Sequence, residues 1–250
     1  MYLDGKTALV SGAGSGIGRA VALAYARDGA NVVVSDIALE GAEETLALIR
    51  RQHPGAKCTF VRADASKPED NEAVVQAALD EFGALHVACN NAGIGGELNP
   101  VGQLSVEGWQ KVIEVNLSGV FYAMRAQIPR MLEAGGGAIV NMASVLGQVG
   151  SAGAAGYVSA KHGVVGLTRA AALDYASQGL RINAVGPGYI DTPLLDALPD
   201  DAREAIVALH PIGRLGRAEE VAELVAWLSS ERASFVNGAY YPVDGGYLGQ

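Results

Sequence analysis

The chain has 250 residues, half of them hydrophobic and only 6% aromatic, with 33 glycines, so it has apolar mass for a substantial, mostly aliphatic interior. A formal charge of −9, from 18 basic and 27 acidic side chains, argues against nucleic acid as a partner, since a basic face supplies most of that affinity. No stretch reaches the ~18 apolar residues of a membrane span, and Met1–Val10 lacks the apolar run of a secretion signal, so the expectation is a cytoplasmic protein that meets neither membrane nor nucleic acid and acts on a small molecule.

Short apolar runs alternate with longer amphipathic ones. The runs of strand length are Lys6–Gly12, Asn31–Asp36, Lys57–Asp64, Leu85–Gly93, Gly137–Ser144, Leu180–Gly188 and Ala239–Gly246. Continuously apolar strands of this kind belong to parallel sheets covered on both faces. Between them lie helical patterns with their own punctuation. "GRAVALAYARDG" stops at Gly29, "EGAEETLALIRRQHPG" stops at Pro54–Gly55, and "KPEDNEAVVQAALDEFG" opens with Pro68 and acidic residues. The run from Val106 to Glu133 is long enough for one helix, with Pro129 expected to kink or break it. "YVSAKHGVVGLTRAAALDYASQG" and "RAEEVAELVAWLSSE" complete the set. The alternation predicts an α/β fold: a single doubly wound Rossmann-type domain over residues 1–250, with a seven-stranded, mainly parallel sheet and helices on both faces. The one irregular piece, Asp191 to Arg214, is punctuated by three prolines and is where a lid over a pocket would be built. Cys58 and Cys89 both fall in strand-like runs and are expected to be buried, reduced thiols. The four histidines have no metal-ligand spacing, so no metal is expected.

The turn after the first strand, "SGAGSGIG" (Ser11–Gly18), carries the first chemistry. Strict G-x-G-x-x-G spacing is absent; Gly12, Gly16 and Gly18 give G-x-x-x-G-x-G instead. Glycines there let the backbone approach a ligand closely, and the free N–H groups and dipole of the following helix attract a pyrophosphate. Ser15, Ile17 and Gly18 would line that cradle. Asp36 ends the second strand, where a dinucleotide fold places a carboxylate on the adenosine ribose hydroxyls. It would repel a 2′-phosphate, and Ala13, Ser15, Ile37 and Ala38 offer no compensating cation, so NAD is favoured over NADP. Asp64, ending the third strand beside Ala65, can either reach the adenine amino group or cap the following turn.

These marks accumulate in order along the chain: the Gly turn, Asp64–Ala65, "NNAG" at Asn90–Gly93, Val115–Asn116, Ser144, "YVSAK" at Tyr157–Lys161, Pro187–Gly188 and "VDGG" at Val243–Gly246. Together they resemble the short-chain dehydrogenase/reductase family, in its form of about 250 residues, over essentially the whole chain. Three departures stand out: Ser11 where the family usually has Thr, Ala143 where it often has Ser, and Ile94-Gly95-Gly96-Glu97 where its acyl-carrier ketoreductases usually have Ile-Thr-Arg-Asp. The last, with Asp36, makes a fatty-acid role the lesser alternative.

The resemblance implies NAD-linked interconversion of a secondary alcohol and its ketone. Such a reaction requires a base for the hydroxyl proton. Tyr157 is assigned that role, with Lys161 at i+4 on the same helical face lowering its pKa and reaching the nicotinamide ribose. Ser144 would bond the substrate oxygen, and Asn116, expected within the long fourth helix, would hold a water linking Lys161 to solvent. Asn91, Ala92 and Gly93 are expected on the adenosine side of the cofactor site; Pro187, Gly188, Ile190 and Thr192 approach the nicotinamide carboxamide. The substrate pocket would be lined by Gly95, Gly96, Glu97, Leu146, Gln148 and Tyr189; small and apolar positions there suit a cyclic or aliphatic alcohol, while Glu97 and Gln148 leave a diol open. The resemblance also implies a homotetramer through the long fourth and fifth helices and the last strand. Two other readings are a catalytically silent nucleotide-binding regulator, which would lack one of the four reacting residues, and an epimerase or dehydratase, whose members of this fold are generally longer.

Overall fold

The computed structural model describes residues 1–195 and 199–250. Seven strands form one sheet: β1 (Thr7–Ser11), β2 (Asn31–Asp36), β3 (Cys58–Arg62), β4 (Val87–Asn90), β5 (Gly137–Met142), β6 (Leu180–Pro187) and β7 (Tyr240–Val243). Their order is β3-β2-β1-β4-β5-β6-β7, and every pairing is parallel. The chain winds outward from β1 in one direction and from β4 in the other. The crevice between the carboxyl ends of β1 and β4 is therefore the topological switch point, where such sheets receive ligands.

The two-residue period of each strand divides the core into two layers. Ala8 and Val10 of β1, Val32 and Val34 of β2, and Val140 and Met142 of β5 pack with α1 (Gly16–Arg27), α2 (Leu39–Gln52) and α8 (Ala218–Ser229). Their neighbours Leu9, Val33 and Ile139 point the other way, onto α3 (Pro68–Phe82), α5 (Gly119–Glu133) and α6 (Ala155–Tyr175). Two further helices, α4 (Val106–Ile113) and α7 (Asp200–Ala208), stand at the ends of connections. Pro68 opens α3 with Glu69 and Asp70 in its first turn, and Gly83 closes it in the left-handed region at φ 82°.

The expected break at Pro129 does not occur: α5 runs through it to Glu133. Pro129 and Arg125, the residue whose carbonyl loses its partner, both lie on the exposed face, where that carbonyl has no need of a protein donor. The interruption falls earlier, at a π turn over Glu114–Ser118 that separates α4 from α5. Asn116 sits in that turn rather than within a continuous helix. Both cysteines are free thiols; Cys89 is buried in β4, but Cys58 is only half-buried because β3 is an edge strand.

Candidate active site

Backbone geometry explains the glycines of the first turn. Gly12 (φ 63°) and Gly16 (φ 51°) occupy the left-handed region. A Cβ on Gly18 would stand 2.1 Å from the Gly12 carbonyl oxygen, so only glycine lets α1 approach the turn this closely. Ser15 caps α1 without a side-chain hydrogen bond, which leaves the first-turn amides open toward the crevice. Asp36 braces the turn from β2: its carboxylate accepts from the Gly14 and Ala38 amides, both at 2.8 Å.

Two residues without a motif of their own also hold this region. Arg19 Nη2 reaches the Gly14 carbonyl (2.5 Å) and Glu44 (2.6 Å), while its Nε donates to Thr45 Oγ1 (3.1 Å). Arg62 lies opposite Asp36 in register and donates from Nε to the Ile37 carbonyl at 3.2 Å. A basic residue therefore does stand near the ribose end, one strand over, where inspection of positions adjacent in sequence did not find it. Asp64 adopts the capping alternative: its Oδ1 accepts from the Ser66 amide (2.9 Å) and hydroxyl (2.7 Å), and those bonds pull its pKa below the usual carboxylate range. Ala65 follows it, its carbonyl lying where a side chain on Gly119 would collide.

The "NNAG" segment joins this cradle to the rest of the crevice. Ser11 Oγ accepts from the Asn91 and Ala92 amides (3.1 and 3.2 Å), and Asn91 Nδ2 donates to the carbonyls of Ser11 and Gly12, so Ser serves fully where Thr is usual. A Cβ on Gly93 would stand 3.2 Å from Asn116 Oδ1 and 3.7 Å from Lys161 Nζ. From the other side, the Thr192 side chain comes within 3.2 Å of where a Cβ on Gly16 would lie, placing the segment after β6 against the Gly turn. Pro187 ends β6; the Gly188 amide bonds the Val243 carbonyl at 3.0 Å, and Ile190 is buried. The open amides, the glycine surfaces that a Cβ would fill and the ribose-end carboxylate fit an extended dinucleotide.

The four predicted reacting residues converge beside this crevice. Ser144, buried just past β5, accepts from the Leu146 amide at 3.1 Å and lies near enough to the Tyr157 phenol to act on its ionisation. Lys161 is almost fully buried on α6; its Nζ donates to the Met142 carbonyl at 2.8 Å and lies 5.5 Å from the Tyr157 ring centroid. Burial pushes the Lys161 pKa down to about 8. Burial also pushes the Tyr157 phenol up, Ser144 opposing it and Tyr189 adding to it. The expected lowering of Tyr157 by Lys161 is thus not present in the free protein, because desolvation outweighs an ammonium turned toward a backbone carbonyl. Asn116 is completely buried, and its amide makes a reciprocal pair with one peptide: Nδ2 donates to the Ile94 carbonyl (2.7 Å) and Oδ1 accepts from the Ile94 amide (2.8 Å). This side chain ties down the loop after β4.

The six expected pocket residues divide. Leu146 is buried beside Ser144, and Tyr189 lies near enough to act on Tyr157. Gly95 has open space where a side chain would stand; Gly96 (φ 81°) abuts Val112. Gln148 is exposed. Glu97 accepts instead from Ser105 Oγ (2.7 Å) and Asn99 Nδ2 (3.1 Å), fastening its loop to the start of α4. His210, which has no motif of its own, is buried, bonds the Ile206 carbonyl through Nδ1 (2.8 Å) and accepts from the Tyr189 amide through Nε2 (3.1 Å). A ring whose two partners lie on separate elements leaves no pattern in sequence. In the 191–214 segment, a 3-10 turn (Pro193–Leu195) and α7 are formed, while 196–198 lie outside the described residues. A wider cavity of about 540 Å³, lined in part by Lys6, His86 and Arg181, opens at the opposite end of the sheet and meets none of these groups.

A doubly wound parallel sheet, a glycine cradle at its switch point and, beside it, buried Ser144 and Lys161 with a half-buried Tyr157 define a dinucleotide-linked oxidoreductase. A family model described as enoyl-(acyl carrier protein) reductase matches residues 12–248. The chain belongs to the short-chain dehydrogenase/reductase family. It is 54% identical to the cyclohexanol dehydrogenase of Acinetobacter sp. (strain SE19) over 244 residues, 98% of this chain and 95% of that one. It is 47% identical to the cis-4-hydroxycyclohexanecarboxylate dehydrogenase of Sinomonas cyclohexanicum over 242 residues, 97% of this chain and 96% of that one. The crystal structure of levodione reductase superposes with a TM-score of 0.94 at 40% identity, covering 98% of each chain. The chain is an alcohol oxidoreductase of this family, using a nicotinamide cofactor and a small-molecule substrate. Among the described residues, no helix is long and apolar enough to cross a membrane.

Proposed function

We propose that this enzyme is an NAD-dependent dehydrogenase of secondary alcohols carried on a six-membered ring, working reversibly with the ketone. The observation that carries the cofactor preference is Asp36: its carboxylate is fixed on the Gly14 and Ala38 amides at the ribose end, where a 2′-phosphate would meet a negative charge. The ring preference is supported by the relatives named for cyclohexanol and a hydroxycyclohexane carboxylate, and by the open space beside Gly95, which carries no side chain.

A bound nicotinamide supplies the hydride acceptor. The protein's part is to take the hydroxyl proton and hold the oxygen. Ser144 Oγ and Tyr157 Oη both bond the substrate oxygen, and the proton passes to Tyr157 as the carbon is oxidised. Lys161 is still largely protonated at neutral pH, and would exchange the Met142 carbonyl for the ribose hydroxyls of a bound cofactor. Its positive charge beside Tyr157, with that of an oxidised nicotinamide, would favour the phenolate against the desolvation that keeps the phenol neutral in the free protein. Asn116 positions the loop from Ile94 onward rather than carrying a proton. The described parts of the segment after β6, 191–195 and 199–214, would serve as a lid, tied to the end of β6 by the Tyr189 amide on His210. The assay is reduced-nicotinamide absorbance with cyclohexanol, its ring-substituted analogues and linear secondary alcohols, each with NAD and with NADP. Turnover faster with linear alcohols, or with NADP, overturns the corresponding half of the reading.

A further inference from the structure

The edge strand β7 sends one side chain under the reacting centre. Tyr240 Oη donates to the Ser144 carbonyl at 2.9 Å, a carbonyl that also accepts from the Gly147 amide at 2.8 Å. The path is built for this contact: a Cβ on Gly186 of β6 would lie 1.9 Å from Tyr240 Oη, so glycine there leaves the channel that the phenol occupies. Tyr240 packs against the aliphatic layer of α5 and α6 with its hydroxyl at the layer's upper rim. We infer that Tyr240 is a positioning residue for the alcohol chemistry, fixing the peptide plane of Ser144 so that its hydroxyl faces Tyr157 and the substrate oxygen.

The assignment rests on the proposed roles of Ser144 and Tyr157. Rotation of the Ser144 peptide moves Oγ, whose hydrogen bond among the described residues is the one it accepts from the Leu146 amide at 3.1 Å. Loss of the Tyr240 bond leaves the Ser144 carbonyl with a single donor and the hydroxyl free to drift from Tyr157. Ser144 holds the Tyr157 pKa down, and the other groups facing that phenol are Lys161 from α6 and Tyr189 from the end of β6. Asp244 faces Tyr240. Neither Lys161 nor Tyr189 is altered by removing the Tyr240 hydroxyl, so a rise in the Tyr157 pKa would report Ser144.

The test is Tyr240→Phe in the full-length enzyme, which keeps the ring and removes one hydroxyl. We expect kcat for cyclohexanol oxidation to fall about five- to tenfold, the loss of one well-aligned hydrogen bond's guidance. KM for NAD should stay unchanged, and the acid limb of the kcat/KM profile should move to higher pH. In a Ser144→Ala background the same substitution should cost nothing further. An unchanged pH profile, or an equal loss in both backgrounds, overturns the inference; where Ser144→Ala turns over too slowly to assay, the profile of Tyr240→Phe decides alone. Full activity in Ser144→Ala or Tyr157→Phe would instead sink the reading of the site, a result distinct from failure of Tyr240.

Discussion

Lys161 and Tyr157, four residues apart on α6, do not face each other through their polar ends: Nζ lies over the ring, 5.5 Å from its centroid, and spends its hydrogen bond on the Met142 carbonyl. Lys161 is held in its costly form, an ammonium out of water, while burial keeps the Tyr157 phenol neutral. The free protein is therefore destabilised at the place where it is to react. The displacement of Lys161 from 10.5 to about 8 corresponds to about 3 kcal/mol between its two protonation states. A depressed lysine pKa means the unfolded chain binds more protons between pH 8 and 10.5, so this penalty is full below 8 and fades as pH rises through that window. Lys161→Met should abolish turnover while raising Tm at pH 7 by a few degrees, about 1–2 kcal/mol after the lost carbonyl bond. The gain should shrink toward pH 10. A lower Tm at pH 7, measured by calorimetry without cofactor, would refute it.

Tyr157→Phe removes the proton acceptor and leaves the crevice intact. Its kcat should fall by at least about three orders of magnitude. NAD affinity, followed by quenching of intrinsic fluorescence, should change less than about threefold. Substantial residual turnover would mean another group takes the proton.

At the ribose end, Asp36→Ala removes the negative charge but also two backbone tethers, those of Gly14 and Ala38. NAD binding should weaken, and the preference for NAD over NADP, as a ratio of kcat/KM values, should drop at least about tenfold, or 1.4 kcal/mol. Arg62→Ala in the same background should take back part of the NADP gain, since that guanidinium stands opposite position 36. An unchanged ratio in Asp36→Ala would remove the carboxylate from cofactor choice.

Asn116→Ala deletes both partners of the Ile94 peptide in a fully buried place. We expect a loss of about 2–3 kcal/mol in stability, read by urea unfolding, together with weaker substrate binding as the Ile94–Glu97 loop loosens. Stability within about 0.5 kcal/mol of the parent would contradict the clamp.

Sheet and helices were legible because each strand's apolar run and each helix's stop signal are local. The alternation pointed to a parallel, doubly wound sheet, though not to its strand order; the Gly turn and Asp36 were visible in local pattern, and Ser144, Tyr157 and Lys161 through the resemblance to the family. What escaped was whatever depends on contacts between distant residues. Pro129 fails to break α5 because it lies on the exposed face, which no local rule reveals. The π turn at Glu114–Ser118 has no residue signature, yet it is what turns the Asn116 amide onto Ile94. Glu97 looked free to read a substrate hydroxyl until the fold brought Ser105 and Asn99 to it. Arg19, Arg62 and His210 are ordinary residues in sequence and become braces only across elements.

The Thr192 methyl resting near Gly16 has a kinetic consequence. The segment after β6 packs against the Gly turn at the crevice that a dinucleotide would fill, so the expected order is dinucleotide first and alcohol second. Release should run in reverse, ketone first and reduced dinucleotide last. In steady-state measurements the reduced dinucleotide should compete with NAD while the ketone inhibits noncompetitively against it: an obligatory queue, imposed by a single side chain leaning on a glycine.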